Sequence, residues 1–252
     1  MLAKCAALLD ALDAAGELTP SELAEAIDEP RSSVYRLLDS LENVGFVAPG
    51  VERGHVQLGI KLYRLGSSAV RNRDLRAAAL PRMVELGEQT GHTIFLAIKS
   101  GDAALCIERI EGLTMVNNAL LPGRTGPLHI GAVGKALLAA EPPDYWESYA
   151  AAGLIGYTPH SITTRDVLVE TLQEVRATGA SVSDQDRLLG LAGVGAPVHD
   201  HTGRVCGAIS FSGPRPLVLG DRREESIALI KRVAGDISAA LGYEPSLAAA
   251  GR

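Results

Sequence analysis

The stretch PRSSVYRLLDSLENVGF, residues 30–46, has the hydrophobic spacing of an amphipathic helix between Pro30 and Gly45. Apolar residues recur every three or four positions, which places on one face Val34, Leu37, Leu38, Leu41 and Val44. The opposite face begins with cationic and hydroxyl side chains, namely Arg31, Ser32, Ser33, Tyr35 and Arg36. The pattern predicts a helix that packs through one face and presents a basic, hydroxyl-rich face to a partner.

Two helices are predicted before this stretch and a hairpin after it. Residues 2–15 carry leucines on one side. The segment TPSELAEAI, residues 19–27, has Thr19 at the N-cap, Pro20 at the first helical position and Glu22 three residues after the cap, which is a capping-box pattern. The runs FVAPG and HVQLG flank the turn GVERG and indicate a β-hairpin. Three helices followed by a hairpin is the order of a winged helix-turn-helix domain.

The charge distribution changes at the quoted helix. The 252-residue chain has a net charge of −6, which by itself argues against a nucleic-acid partner. Residues 1–30 carry −6, but residues 31–73 hold seven bases and three acids, for +4, and the rest of the chain carries −4. Because attraction to phosphates depends on local clustering of charge, the basic segment favours binding to double-stranded DNA.

The second helix of a helix-turn-helix places its first turns against base edges in the major groove. The arginine fork matches two acceptors on guanine, and hydroxyls reach phosphates or bases. The hairpin supplies a wing that contacts the DNA backbone or minor groove. The predicted DNA-binding residues are therefore Arg31, Ser32, Ser33, Tyr35, Arg36 and Arg53. The alternative is a solvated helix face on a small bundle.

The second half of the chain alternates helices with strands, which indicates an α+β fold with a central antiparallel sheet flanked by helices. Strands are predicted at residues 93–101, 103–112 and, more weakly, 115–123, and a hairpin at 193–213 turns at Asp200–Gly203. Helices are predicted at residues 80–90, 132–140, 144–152, 165–178 with Thr164 as cap, and 220–241. The predicted division is 1–60 for the winged domain, 61–76 for a linker helix, 77–245 for the second domain and 246–252 for a flexible tail.

Several classes of protein and site are not expected. No apolar run is long enough for a transmembrane helix, and the acids near the start do not fit a signal peptide, so we expect a cytoplasmic protein. Cys5, Cys106 and Cys206 are expected to be free, buried thiols. His199 and His201 are expected to be exposed, because no third ligand is near them in the sequence. We therefore expect neither a metal nor a cofactor.

The chain resembles the IclR family of bacterial transcription regulators over residues 2–243. The segment LTPSELAEAIDEPRSSVYRLLDSLENVGFV resembles the helix-turn-helix of that family, and its C-terminal landmarks are matched in order by PLHIGAVGKALLA, TPHSITTRD, GAPVHDHTGRVCGAISFSGP and AGDISAALG. The resemblance implies a winged domain, a linker helix and a GAF-like C-terminal domain that binds a small effector. It also implies dimers, often paired into tetramers, on palindromic operators. The family usually has more residues before the first helix than this chain has.

The strand AISFSGP predicts part of a ligand pocket. Alternation places Ser210 and Ser212 on one face, where buried hydroxyls need partners such as a ligand carboxylate. The alternative is a solvent-facing edge strand. The resemblance places the effector carboxylate at Ala132 and Val133, where a helix N-terminus attracts an anion. It places the far end of the effector at Ser183 or Asp184 and at Gly193, with further lining positions at Met115, Asn118, Leu189 and Leu191.

The sequence thus predicts a sequence-specific DNA-binding transcriptional regulator whose operator binding responds to a small organic acid, and it leaves open whether the regulator represses or activates. Two alternatives remain open. One is a hydrolase built on the GAF-like domain, although Ser210, Ser212 and Cys206 lie in no nucleophile-elbow motif and no histidine is placed to activate them, so we expect no enzyme. The other is a winged domain used only for contacts with proteins.

Overall fold

The computed structural model describes residues 2–71, 75–113 and 120–244. Two compact units make up the chain, Met1–Asn72 and Arg73–Arg252. The division falls within the predicted linker, but the first helix of the second unit begins at Leu75, so Arg76 belongs to that helix. The predicted tail and most of the weak strand at 115–123 lie outside the described residues. The finer four-segment division stays a prediction.

The N-terminal unit contains the predicted helices and hairpin. Its elements in chain order are α1 (Leu2–Ala15), β1 (Glu17–Leu18), α2 (Pro20–Ala26), α3 (Arg31–Asn43), β2 (Val47–Pro49), β3 (Val56–Leu58) and α4 (Ile60–Arg71). The apolar face of α3 packs against leucines of α1 and α2, and its buried members are Val34, Leu37, Leu38 and Leu41. Val44 was predicted in this face but is 46% exposed, because the helix ends there and the chain turns at Gly45, whose φ is +77°.

The capping box of α2 is present as predicted. The Thr19 Oγ1 accepts a hydrogen bond from the Glu22 backbone N at 3.3 Å, and the Glu22 carboxylate accepts one from the Thr19 backbone N at 2.8 Å. Both bonds satisfy N–H groups that have no partner inside the helix. They fix the residue at which α2 begins, and hence the short connection from α2 to α3.

The hairpin is held by a third strand that the sequence pattern did not predict. Strand β3 pairs with β2 on one edge and with β1, only two residues long, on the other. The carboxylate of Glu17 in β1 accepts a hydrogen bond from the Val51 N at 2.8 Å. A Cβ at Gly50 would lie 2.5 Å from that carboxylate, so glycine permits the contact. The turn that carries Arg53 is therefore anchored at its base.

The second unit is an antiparallel sheet with helices on both faces, as predicted. Its elements in chain order are α5 (Leu75–Thr90), β4 (Thr93–Ser100), β5 (Ala103–Ile110), β6 (Thr125–Pro127), α6 (Ala132–Ala139), α7 (Pro143–Ala151), α8 (Arg165–Thr178), β7 (Ser181–Asp184), β8 (Leu191–His199), β9 (Val205–Pro214), α9 (Arg215–Leu219) and α10 (Arg223–Ala240). Within the described residues the strand order is β6-β5-β4-β9-β8-β7. Helices α5 and α10 pack on one face, and α6 and α8 on the other.

Several local expectations for the second unit need correction. Thr164 occupies the N-cap of α8, but its side chain makes no capping hydrogen bond. Of the three cysteines only Cys106 is buried, which raises the pKa of its thiol to about 11, and the other two are partly exposed. His199 is half-buried rather than exposed, because its ring stacks on Tyr243 at 4.8 Å. In the part of the chain that the structure describes, no helix combines the length and apolarity needed to cross a membrane.

The two threonine N-caps allow a matched test of the capping box. We expect Thr19→Ala to lower the free energy of unfolding of the N-terminal unit by about 1 kcal/mol, because a helix N–H loses its acceptor. Thr164→Ala removes no capping hydrogen bond and should change the stability of its own unit by less than half as much. Urea denaturation of the full chain, followed by circular dichroism, measures both changes. Equal effects would contradict the assigned role of Thr19.

Candidate functional site

The first turns of α3 form an exposed edge on the N-terminal unit. Arg31, Ser32, Tyr35 and Arg36 are exposed, and Ser33 is half-buried. This follows from the helical period, since Val34 and its apolar partners face the core and the intervening residues face away. Among the described residues, neither arginine forms an ion pair with an acidic side chain. The edge therefore presents uncompensated positive charge next to hydroxyl groups.

Arg53 is also exposed, in the turn between β2 and β3. Its neighbour His55 is half-buried and lies 3.7 Å from the carboxylate of Glu52, measured from its Nε2. Of these two wing residues, only Arg53 projects an exposed cation. The turn has the form expected of a wing, with its base anchored by Glu17.

The second unit encloses a cavity of about 70 Å³ between the sheet and the start of α6. A single water needs about 10–15 Å³, so the cavity has room for several atoms of a ligand. Its described lining is mostly apolar and consists of Phe95, Ala104, Leu120, Gly126, Pro127, Ile130, Gly131, Ala132, Val133, Ser183, Arg187, Leu188, Leu191, Ala192, Gly193, Ser210, Phe211 and Ser212.

Strand register explains why these side chains meet. Ser210 pairs with Phe95 on one side and with Gly195 on the other, and residues directly opposite each other share a face of the sheet. In the next row Ser212 pairs with Gly193, which in turn pairs with Ser183. Gly193 lines the cavity without adding a side chain to it, and Gly195 lies directly beneath α6. A polar surface of hydroxyls thus forms the floor beneath the start of α6.

Helix α6 approaches the sheet closely because β8 carries glycine beneath it. A Cβ at Gly195 would lie 3.1 Å from the Ala132 backbone O, so any larger residue would push the helix away. The Ser181 hydroxyl donates a hydrogen bond to the same Ala132 O at 2.7 Å. The first N–H groups of α6 lack intrahelical acceptors and are available to a ligand. The N-terminus of α6 is therefore a natural anion site at the cavity.

A buried ion pair fixes this arrangement. The Lys135 Nζ lies 2.5 Å from the Asp186 Oδ2, and both side chains are less than 5% exposed. The same carboxylate accepts hydrogen bonds from the Gly131 N at 3.2 Å and from the Ser183 hydroxyl. Asp186 therefore connects α6, the turn before it and β7. Because its proton is given to Asp186, Ser183 can offer a ligand only an acceptor.

The two serines of β9 differ in what they offer. Ser210 is 4% exposed, and it lines the cavity. Ser212 is half-exposed and has an interaction of its own within the chain. A buried polar group without a partner is costly unless a ligand or water satisfies it. Ser210 thus offers a buried hydroxyl to a ligand in the cavity.

Most of the predicted effector residues converge on the cavity. Those in its lining are Ala132, Val133, Ser183, Leu191, Gly193, Ser210 and Ser212. Met115 and Asn118 lie outside the described residues.

Asp184 and Leu189 are not in the lining and need correction. Asp184 follows Ser183 in a strand, so its side chain faces the other way, where a bidentate pair with Arg215 at 2.7 and 2.9 Å lowers its pKa. Leu189 is 57% exposed on the following loop. Of the two alternatives Ser183 and Asp184, Ser183 lines the cavity, and its role toward an effector stays a prediction.

Sequence reasoning missed Arg187, which is the one charged residue in the described lining. Its guanidinium carbon lies 5.4 Å from the centre of the Tyr157 ring, and its Nη1 lies 3.4 Å from where a Cβ of Gly126 would stand. No helical or strand periodicity predicted that Arg187 lines the cavity, because this residue is in an irregular loop. Phe95 was also missed, although its register with Ser210 would have placed it once the strands were aligned. The described residues include no cluster of potential metal ligands.

Comparison with known proteins identifies the kind of protein that carries these features. Residues 1–49 match the "IclR helix-turn-helix domain", and residues 67–239 match "Bacterial transcriptional regulator IclR C-terminal". The chain belongs to the IclR family of bacterial transcriptional regulators. The exposed edge of α3 lies in the first matched segment and the cavity in the second.

Individual IclR proteins align over nearly the whole chain. An HTH-type transcriptional repressor AllR from Klebsiella pneumoniae is 33% identical over 231 residues, which cover 91% of this chain and 85% of that protein. The Thermotoga maritima IclR structure has a TM-score of 0.77 at 30% identity, covering 96% of this chain and 98% of that one. An IclR homologue from Microbacterium hydrocarbonoxydans, solved with 4-hydroxybenzoate, shares the fold at 24% identity, with a TM-score of 0.86 and coverage of 95% and 98%.

Membership in a family of regulators decides between two of the functions considered from the sequence. The matched family and the named relatives are transcriptional regulators, and the protein is therefore a regulator rather than the hydrolase of the first alternative.

The two neighbouring aspartates test whether the buried pair holds the cavity. We expect Asp186→Ala to lower the free energy of unfolding of the second unit by about 3–5 kcal/mol, because it leaves Lys135 buried and unpaired. Asp184→Ala breaks a partly exposed pair and should cost about 0–1 kcal/mol. Guanidinium denaturation of the full-length variants measures both. Similar losses in the two variants would refute the structural role of Asp186.

Proposed function

We propose that this protein is a one-component transcriptional repressor that binds a palindromic operator as a dimer and senses a small organic acid. The observation that carries the proposal is the exposed edge of α3, where two arginines without acidic partners stand beside hydroxyl groups. Named relatives of the chain are repressors, which supports repression as the activity. Operator DNA and the effector would act on different units, and we place the protein in the cytoplasm.

The DNA contacts follow from the position of the edge on its helix. Arg31 and Arg36 lie on the first turns of α3, which in a helix-turn-helix face base edges in the major groove. Ser32, Ser33 and Tyr35 would contact phosphates or bases, and Arg53 would contact the backbone from the wing. The arginines can bind guanine through both acceptors of its major-groove edge, which supplies sequence discrimination.

Dimerisation would use the apolar face of α4. Ile60 and Tyr63 are 75% and 72% exposed, and Leu65 is 49% exposed. Ile60 and Tyr63, three residues apart, share one face of a helix that also carries Lys61 and Arg64, and a second copy of this chain would bury that apolar surface. Two copies related by a two-fold axis present two α3 helices, which matches the symmetry of a palindromic operator. Pairing of two dimers into a tetramer is the further state we propose.

The effector would be a small carboxylate held above the sheet. The Ser210 hydroxyl, the Ser212 hydroxyl and the first N–H groups of α6 converge on the cavity, and all of these can donate to a carboxylate. Arg187 adds a positive charge to the lining. The IclR homologue solved with 4-hydroxybenzoate has this fold and was crystallised with a carboxylate-bearing ligand, which agrees with the proposed class.

Regulation requires that the effector bind one state of the dimer more tightly than another. A ligand with equal affinity for both states changes nothing, however tightly it binds. The proposed effector would shift the population between a dimer whose α3 helices match the operator spacing and one whose helices do not. The sign of the shift would decide between release and recruitment of the repressor.

Arg36→Ala tests the DNA-binding edge. We expect it to weaken binding to a duplex selected by the wild-type protein from a random pool by roughly fivefold to a hundredfold, through loss of a base contact. Fluorescence anisotropy at a fixed salt concentration measures the affinity. Arg232→Ala, an exposed arginine on α10, is the control and should change nothing. An unchanged affinity of Arg36→Ala for the duplex would contradict an interface on α3. If the affinity of the wild-type protein for the duplex did not depend on salt, the result would favour a winged domain that serves only for contacts with proteins.

Ser210→Ala tests the effector site. Thermal-shift measurements with acetate, propionate, butyrate and pyruvate should identify a carboxylate that stabilises the wild type, since saturation at a hundred times the Kd adds about 2.7 kcal/mol. We expect Ser210→Ala to lower the affinity for that carboxylate by about tenfold or more, because a hydrogen bond to a charged group is lost. Ser226→Ala, also buried but away from the cavity lining, should bind normally. Equal weakening in both variants would argue against the site.

A further inference from the structure

The guanidinium of Arg109 on β5 is buried and lacks hydrogen-bond partners among the described residues. Its side chain is 2% exposed, and its Nε, Nη1 and Nη2 have no hydrogen-bond partner among the described residues. The nearest carboxylate oxygen is the Glu111 Oε1, 3.6 Å from Nη2, and the Glu111 side chain is 67% exposed. A guanidinium has five N–H donors, so this long contact to a solvated carboxylate leaves nearly all of its capacity unused.

Such a group needs an explanation, because burying an unpaired charge is costly. Lys135, another buried cation of this unit, shows the usual solution, since its Nζ lies 2.5 Å from the Asp186 Oδ2. The adjacent carboxylate, Glu108, is engaged by other groups. Glu108 pairs with Arg76 and accepts a hydrogen bond from the Arg109 backbone N at 2.9 Å rather than from its guanidinium.

The position of Arg109 relates it to the cavity. Arg109 pairs with Phe95 across the sheet, and Phe95 pairs with Ser210, so the three side chains form one row on the face beneath α6. The guanidinium carbon lies 5.7 Å from the centre of the Phe95 ring, and that ring lines the cavity. Two interstrand spacings, about 10 Å, separate the Arg109 and Ser210 backbones. Arg109 itself is not in the described lining, and the strand of Phe95 lies between those of Arg109 and Ser210.

We propose that Arg109 is a second anion-binding residue of the effector site, and that the effector is therefore a short dicarboxylate rather than a monocarboxylate. This inference rests on the proposed function. One carboxylate lies at Ser210 and the N-terminus of α6, and the other reaches past the edge of Phe95 to the guanidinium. The second carboxylate supplies the acceptors that Arg109 lacks within the chain. A planar carboxylate fits the arginine fork through both of its oxygens.

The test compares acids that differ only in the second carboxylate. Malonate, succinate and glutarate are titrated into the full-length protein by calorimetry against propionate, butyrate and pentanoate, which match them in chain length. We expect at least one diacid to bind the wild type about tenfold or more tightly than its matched monoacid, because a charge-assisted pair is gained. In Arg109→Gln that preference should vanish, while the affinity for the monoacid stays unchanged. Arg109→Lys should keep part of the preference for the diacid, because lysine retains the positive charge but lacks the planar guanidinium that binds both carboxylate oxygens.

Thermal stability without ligand separates this role from a structural one. Arg109→Met removes an unpaired buried charge, so its melting temperature should equal or exceed that of the wild type. A marked loss of stability in Arg109→Met together with an unchanged diacid preference in Arg109→Gln would overturn the inference.

The two proposals fail in different ways. If monoacids and diacids bind the wild type equally and Ser210→Ala weakens both, the carboxylate site stands and the role of Arg109 falls. If no acid of either series binds, the carboxylate effector and the role of Arg109 fall together, whereas operator binding through α3 is unaffected.

Discussion

The arrangement of the cavity in the second unit depends on one carboxylate, that of Asp186. Its two oxygens accept from the Lys135 ammonium, the Gly131 N–H and the Ser183 hydroxyl, so a single side chain joins α6, the turn before it and β7. In a buried environment the ion pair is favourable only because these additional hydrogen bonds complete it. The N-terminus of α6 is thereby held over Ser210 before any ligand arrives. A preorganised site loses less conformational entropy on binding than one that must be assembled.

The two units use positive charge in opposite ways. On α3 the arginines are exposed and stay fully hydrated until they meet a polyanion, whose attraction is long-ranged and sensitive to salt. In the second unit the charges of Lys135 and Arg109 are buried, where screening is weak and a missing partner is costly. The first arrangement suits a large, regular surface such as DNA. The second suits a small anion that can be enclosed and distinguished by its number of charges.

The sequence predicted features that depend on local periodicity or local hydrogen bonding. The amphipathic α3, the capping box at Thr19 and Glu22 and the alternation of Ser210 and Ser212 were all visible in a few consecutive residues. Features that depend on long-range register were not visible. Ser183 and Asp184 differ by one position in a strand, which reverses the side-chain direction, and only the pairing of β7 with β8 shows that Ser183 is the one facing the cavity.

Arg109 is a second residue whose environment depends on long-range strand register and was not visible in the local sequence. In the segment CIERIEG, Arg109 lies between Glu108 and Glu111, and the sequence pattern did not single it out. The β-bulge between Leu96 and Ala97 shifts the register of β4 against β5, and beyond the bulge Arg109 stands opposite Phe95 on the face beneath α6. This bulge therefore places Arg109 on the sheet face that carries the cavity, where its charge is buried. Without the bulge, the side chain at this position would alternate to the opposite face, against α5 and α10, where the packing is apolar.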